Sequence, residues 1–430
     1  MNDKNVDLKD SSKNWLQKLK DESWEAELLV STISIFGAFQ MFRLIDWSTN
    51  KFIDILNPNQ YFIGYFIVFL GLLAISILVS MFVIHFFLRA YWIGLVGLNS
   101  VFPDYGVEDS AYSKIYTEKI LAILPKLKSS IQKVDELCSV IFSAAFTFLL
   151  SYAYMALSAS IYLLIFNLLS DYISSRILLI PAYILALGML FQVVVNIISN
   201  LKRFKQKKKL QILNFKIARL IYMAVYGPLY KYIMQVFMIF GSNFKKKKHI
   251  VYLLIIFVVS GASVSVFRIF NTNIPYLINK DSYFDVTRSY PQYYKSENGN
   301  SNFLLNPEID SDKIESNLIK LFIPIFSHEK RMRNNICNSS DSNKISKSKP
   351  KKQQRKQLLD CYHKYNFVFI NEEEKKVEFL RINHPITNQL GVICYIDIST
   401  LEAGLNKLTV KKIYGNDNFK EWSIPFYYLQ

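Results

Sequence analysis

Nearly all of the long apolar runs in this 430-residue chain lie before residue 271, and the remainder reads as a mixed, water-soluble sequence. An uninterrupted apolar stretch of ~20 residues, at ~1.5 Å per residue, matches a hydrocarbon core of ~30 Å and admits little besides a transmembrane helix. Five such spans are expected, near residues 25–44, 61–88, 138–169, 173–198 and 250–270. The first is the weakest, because Glu25, Glu27 and Arg43 frame a modest apolar centre. The second and third exceed the minimum length and must tilt or project. The expected fold is an α-helical polytopic bundle of about five transmembrane helices over residues 24–270. A soluble α+β domain follows over 271–430, built mainly as an antiparallel β-sandwich. The polar segment 1–23 has no cleavable-signal pattern, so the first span is expected to remain as an anchor.

The net charge is +17, and its distribution matters more than its size. Residues 200–249 carry thirteen Lys and Arg and no Asp or Glu, between two apolar spans. Lys202, Arg203, Lys205, Lys207, Lys208, Lys209, Lys245, Lys246, Lys247 and Lys248 are the candidate contacts to anionic lipid or a partner. No zinc finger or aromatic RNA-binding signature accompanies them, which disfavours nucleic acid. Residues 89–137 are also basic, whereas the connections at 46–60 and 170–172 are nearly free of cations. Charge asymmetry then predicts a cytoplasmic N-terminus and an extracytoplasmic C-terminal domain, in the cell (inner) membrane.

The two basic segments hold structure of their own. Arg89 to Pro103 is apolar and aromatic and should continue the second span until Asn99–Pro103. Glu118 to Leu137 reads as an amphipathic helix. Leu210, Leu213, Ile217, Leu220, Ile221 and Ala224 share a helical face with Lys216 and Arg219 off it, which predicts a helix in the membrane plane. Gly227-Pro228 breaks it before Leu229–Phe240. The alternative is a shallow hairpin of further membrane segments.

Beyond Phe270, Asp312 and Glu315 have capping-box spacing and predict a helix over Ile314–Phe322. Asn338–Gln357 is a lysine-rich, low-complexity segment that predicts a mobile basic loop. From Tyr365 the pattern is of strands: YNFVFI, KKVEFLRI, GVICYIDIS, KLTVKKIY and WSIPFYY. Val392, Cys394, Ile396 and Ile398 alternate toward one face. The segments Leu401–Val410 and Ile424–Tyr428 resemble the late strands of immunoglobulin-like domains on bacterial surface proteins. That resemblance covers about 30 residues. It implies a binding or spacer module and carries no catalytic residue.

Candidate chemistry is sparse. Ion-coupled transport tends to leave ionisable groups inside the bilayer. Spans three and five have none between their ends, span four has only Arg176 near its outer edge, and span two has His85 near its inner end, which reads as an interfacial imidazole beside Arg89. Ser143, Thr147 and Ser151 recur every fourth residue and form either a polar path or a helix-packing stripe. No HExxH, GxSxG or glycine-rich phosphate loop occurs. No metal or cofactor is expected. Cys337 and Cys361 bracket the basic loop and are the disulfide candidates in an external domain.

The sequence therefore predicts a non-catalytic membrane anchor, scaffold or subunit of an envelope assembly. Its outer β-rich domain would bind a protein partner or a further copy of the chain, and its basic inner face anionic lipid. A channel or uncoupled transporter is the competing class, and a membrane enzyme the third.

Overall fold

Where the chain is apolar it is helical, and the helices outrun the apolar cores that nucleate them. The computed structural model describes residues 24–103, 112–170, 172–243, 247–284, 288–297, 302–338, 359–414 and 418–429. The polar segment 1–23 and nearly all of the expected basic loop 338–357 lie outside the described residues. The helices of the apolar part are α1 (Trp24–Ile55), α2 (Tyr61–Val101), α3 (Lys114–Ile123), α4 (Leu127–Leu169), α5 (Ser175–Asn200), α6 (Lys208–Tyr226), α7 (Tyr230–Asn243) and α8 (Lys247–Ile269). Helix α1 continues beyond Arg43 and Asp46 because no residue there breaks it. It ends only before Asn57-Pro58, where Asn57 is extended. The expected helix over Glu118–Leu137 is interrupted. Leu124 is extended ahead of Pro125, so α3 stops at Ile123 and α4 begins at Leu127.

Four helical stretches are long and apolar enough to cross a membrane: Glu25–Ile55, Pro58–Val101, Lys114–Leu169 and Arg176–Asn200. Ile255–Ile269 of α8 is a shorter apolar helix over the residues searched. Among the described residues four helices therefore qualify; the fifth expected span, 250–270, falls on α8, some of whose side chains lie outside the described ones.

The chain divides into two compact units. The first comprises residues up to Asp46 together with Ile67–Asn271; the second comprises Trp47–Phe66 and Thr272–Gln430. Trp47–Phe66, which takes in the end of α1, the turn at 56–60 and the start of α2, thus folds with the C-terminal sheets. Asp54 explains how. Its carboxylate accepts from the Ser327 amide at 2.8 Å and the Ser327 hydroxyl at 2.9 Å, and its carbonyl from the His328 amide at 2.9 Å. Asn273 adds a side-chain bond to Asn50 at 2.8 Å.

The second unit contains two sheets. One has the order β1 (Glu308–Ile309), β3 (Leu318–Pro324), β7 (Leu390–Asp397), β6 (Leu380–Asn383). The other has the order β2 (Lys313–Ile314), β9 (Asn418–Tyr428), β8 (Gly404–Tyr414), β4 (Asn366–Ile370), β5 (Glu373–Glu374). Pairing is antiparallel except between β2 and β9. Ile319, Leu321, Ile323, Val392, Cys394 and Ile396 of the first sheet share one buried core with Val368, Ile370, Leu408, Val410, Ile424 and Phe426 of the second.

The helix expected over Ile314–Phe322 is not formed; Leu318–Pro324 is strand β3, paired along its length with β7. Its apolar run is too short to decide between helix and strand by periodicity. The alternation of Ile319, Leu321 and Ile323 toward the core decides it. Where Pro324 pairs with Gly391, a Cβ on Gly391 would overlap the Phe322 ring, so the two strands need glycine there.

Leu408 is fully buried at the centre of this core. Leu408→Ala should destabilise the second unit by about 2–5 kcal/mol. Thermal unfolding of the full chain in mild detergent, followed by Trp422 fluorescence, would measure it.

Candidate functional site

Helix α2 carries His85 and Arg89 one turn apart, and both are shut away, at 0% and 1% exposure. An arginine does not shed its proton, so a buried guanidinium needs carboxylates around it. They come from two other helices. Glu27 of α1 lies 2.6 Å from one terminal nitrogen and Asp135 of α4 lies 2.7 Å from the other. The guanidinium also stands 4.7 Å from the Trp92 ring centre. One residue of α2 therefore ties three helices together.

His85 belongs to the same knot. The Ser31 hydroxyl donates to the Glu27 carbonyl at 2.7 Å and lies 2.8 Å from His85 Nδ1. A hydroxyl has one proton, already placed, so the imidazole must donate from Nδ1. Nε2 is then an unprotonated acceptor, buried without a hydrogen-bond partner among the described residues and 5.4 Å ring-to-ring from Phe142. His85 is thus not the interfacial imidazole that its place at a span end predicts. Packing of α1 and α4 over this face of α2 removes it from solvent. Nor is Ser31–His85 arranged as a nucleophile and base, because the hydroxyl proton points away from the ring and both groups are fully buried.

At the far end of α1, Arg268 of α8 pairs with Asp46 at 3.4 Å and lies over Phe42. This pair is more open, at 41% and 35% exposure.

The basic residues predicted from sequence lie apart from the Arg89 cluster. Lys202, Arg203, Lys205, Lys207, Lys208 and Lys209 are all exposed, in the turn after α5 and the first turn of α6. Lysines there oppose the helix dipole, whose N-terminal end favours anions. Lys245 and Lys246, and the side chains of Lys247 and Lys248, lie outside the described residues.

Helix α6 does not run alone. Gln211 Nε2 donates to the Ser199 carbonyl at 2.8 Å, and a Cβ on Gly188 would touch Ile221. Rising numbers on α6 meet falling numbers on α5, so the two are antiparallel neighbours. Gly227, at φ +48°, turns the chain into α7 while its face abuts the Tyr154 hydroxyl. Residues 208–243 therefore form a helical hairpin along α5 and α4. Of the two readings of this segment, the hairpin is the one that these contacts match.

The Ser143–Thr147–Ser151 stripe splits. The Thr147 hydroxyl bonds its own helix at the Ser143 carbonyl, whereas Ser151 donates to Tyr226 of α6 at 3.0 Å. Ser143 is exposed and Ser151 buried.

In the second unit, Lys412 is fully buried against Glu329 at 2.7 Å and the Pro324 carbonyl at 3.0 Å. Lys420 stands directly across the β8–β9 ladder from it. Burial, then the charges of Lys280 and Lys412, push the Lys420 ammonium down to about 7. His384 is kept neutral mainly by burial, and its Nε2 meets the buried Glu308 carboxylate at 3.0 Å. These pairs staple loops and strands. Cys138 and Cys394 are free, buried thiols; Cys361 is buried in the core, and the Cys337 side chain lies outside the described ones. Among the described residues no three His, Cys, Asp or Glu converge as metal ligands.

Sequence reading registered Arg89 and His85 but missed Glu27 and Asp135 as their partners. The available signal was charge sign, acidic residues ending two spans and a cation ending a third. No known protein family matches this chain, and no curated protein or solved structure shows significant similarity to it.

Two outcomes follow from these charges. Arg89→Met leaves two carboxylates facing a buried site and should cost about 3–5 kcal/mol. Arg268→Met, at an exposed pair, should cost ~0–1 kcal/mol. Melting of the purified full chain in detergent separates them. Lys420 sheds its proton near pH 7 in the folded state and near ~10.4 when unfolded. Between those values the unfolded chain binds more protons, so stability should rise with pH from about 7 to 9. Lys420→Met should flatten that rise in denaturant titrations repeated across the range.

Proposed function

We propose that this chain is a non-catalytic integral membrane protein, an anchor, scaffold or subunit of an envelope assembly. Its helical unit crosses the cell (inner) membrane, its N-terminus is cytoplasmic, and its sheet unit works on the extracytoplasmic side as a binding module. The observation that carries this reading is the joining of Trp47–Phe66 to Thr272–Gln430 in one unit. The junction of the first two apolar helices and the chain after the last one then belong to the same side. The basic connections belong to the other, as charge asymmetry requires.

The apolar exposure supports a lipid solvent. Arg176–Asn200 has a mean hydropathy of 2.4 over a window of which 0% is buried. Ile180, Ile184, Leu187 and Leu190 stand open on it, a surface that water does not tolerate at this size. The exposed run Lys202 to Lys209 supports attraction to anionic headgroups, at ~1 kcal/mol for each cation close to the surface. The immunoglobulin-like resemblance is the finer part of the reading. Its two segments fall on adjacent antiparallel strands, β8 and β9. A Cys337–Cys361 disulfide suits an extracytoplasmic domain, and the free thiol at Cys394 removes its rival partner.

Native mass spectrometry of unreduced full-length protein, taken from its membrane in mild detergent, tests all of this together. The expected result is a complex with a further protein or a second copy, with bound anionic lipid that is reduced by Lys205→Gln, Lys207→Gln, Lys208→Gln and Lys209→Gln. Peptide mapping of the same sample should yield a linked Cys337–Cys361 pair. A lipid-free monomer extracted without detergent would overturn the membrane reading; thiols free at both cysteines would overturn the external assignment of the domain.

A further inference from the structure

We propose that the hairpin of α6 and α7 lines a water-filled vestibule for small inorganic anions, entered from the basic end of the helical unit and walled on another side by Ser143 and Thr147 of α4. The inference rests on the membrane reading above and goes beyond an anchor's role.

The register of the helices carries it. Helix α6 lies antiparallel to α5, fixed at one end by Gln211 with Ser199 and farther along by Ile221 with Gly188. Continuing that register places Lys216 and Arg219 beside residues near 194 and 191 of α5, well inside the stretch Arg176–Asn200 that is apolar enough to span. Measured from the first turn of α6, Lys216 is about 12 Å and Arg219 about 16 Å along the helix at ~1.5 Å per residue. Both side chains are exposed, and no carboxylate pairs with either among the described residues. A cation at that depth does not face hydrocarbon; it faces a partner charge or water. Reach alone does not bring Arg219 back to the headgroups.

The same level on α4 is polar. Helix α5 returns antiparallel to α4 through a short connection, with the Tyr162 hydroxyl donating to the Leu178 carbonyl. Helix α6 therefore runs parallel to α4, and the Ser151–Tyr226 bond sets their register. Two turns back from that bond, Ser143 of α4 lies level with Ala218 and Arg219 of α6. Thr147 lies one turn below the bond. Ser143 is exposed and Thr147 half-buried.

A second polar seam faces α5. Asn214 Nδ2 reaches Asn196 Oδ1 at 3.4 Å, and Asn200 Nδ2 donates to the same oxygen at 3.0 Å. The side-chain oxygens of Gln192 and Asn214 are buried on this seam without a partner among the described residues. A break in the helical backbone such as Gly227-Pro228 is tolerated at membrane depth where it is buried in protein or lines a water-filled cavity. Lys202, Arg203, Lys205 and Lys207–Lys209 stand at its mouth, so the field draws anions rather than cations.

Single cysteines at Ser143 and Thr147, in the full chain reconstituted into nanodiscs, test the proposal with methanethiosulfonate reagents. Leu187→Cys, on an open apolar face of α5, serves as the lipid-facing control. Ser143→Cys and Thr147→Cys should react with a sulfonate-bearing reagent about tenfold faster than with a trimethylammonium one, a preference of ~1.4 kcal/mol. Adding Lys216→Gln and Arg219→Gln should abolish the preference while leaving reaction with the cationic reagent. Unreactive Ser143→Cys and Thr147→Cys beside an unreactive Leu187→Cys would overturn the vestibule and keep the membrane reading. A reactive Leu187→Cys would overturn the membrane reading itself. Equal rates for both reagents would overturn selection for anions.

Discussion

A guanidinium that keeps its proton cannot be buried alone, and much of the helical unit is organised around that constraint. Arg89 sits at the end of a long apolar run on α2, where packing would exclude any charge unless its counter-charges came with it. Glu27 and Asp135 arrive from α1 and α4, one on each side. Their positions settle which face of each helix turns inward. Once those faces are set, Ser31 and His85 are sealed beneath them, and the opposite faces of α1 and α4 are left for another solvent. The far end of α1 is tied by the longer and more exposed pair of Asp46 and Arg268.

The sheet unit solves the same problem with different means. Its buried charges are satisfied in pairs and by backbone: Lys412 by Glu329 and Pro324, Glu308 by His384. Each pair joins segments far apart in sequence, so each fixes a strand or loop against the shared core. Lys420 stands directly opposite another lysine, with burial and charge both working against its proton. Asp54 shows how the end of an apolar helix is recruited into a sheet fold, since its carboxylate and carbonyl supply the acceptors for the chain at Ser327 and His328.

Legibility from sequence followed the length of each pattern. Long apolar runs were readable because only a helix hides its backbone over such a distance in an apolar surrounding. Val392, Cys394, Ile396 and Ile398 were readable as one strand face, since every second side chain shares a face in a strand but not in a helix. Leu318–Pro324 was misread as helix because seven residues with a capping pattern ahead of them fit either state, and pairing with β7 settled it. The α6–α7 segment leaves two readings open for a related reason. An amphipathic helix shows its two faces but not what covers them, and an in-plane helix and a packed hairpin share the same pattern until α5 and α4 are beside it.

The sequence by itself determined that this chain has an apolar helical part and a β-rich part, where one gives way to the other, and which connections are basic. Those properties are local sums of hydrophobicity and charge along the chain. Only the tertiary structure decided that Arg89 meets Glu27 and Asp135, that Trp47–Phe66 belongs with the C-terminal sheets, and that Ser143 and Thr147 stand level with the hairpin. Each of these is a contact between segments tens to hundreds of residues apart. Single-residue patterns carry no information about such partners, because a buried charge states only that a partner is needed and the fold alone supplies which one.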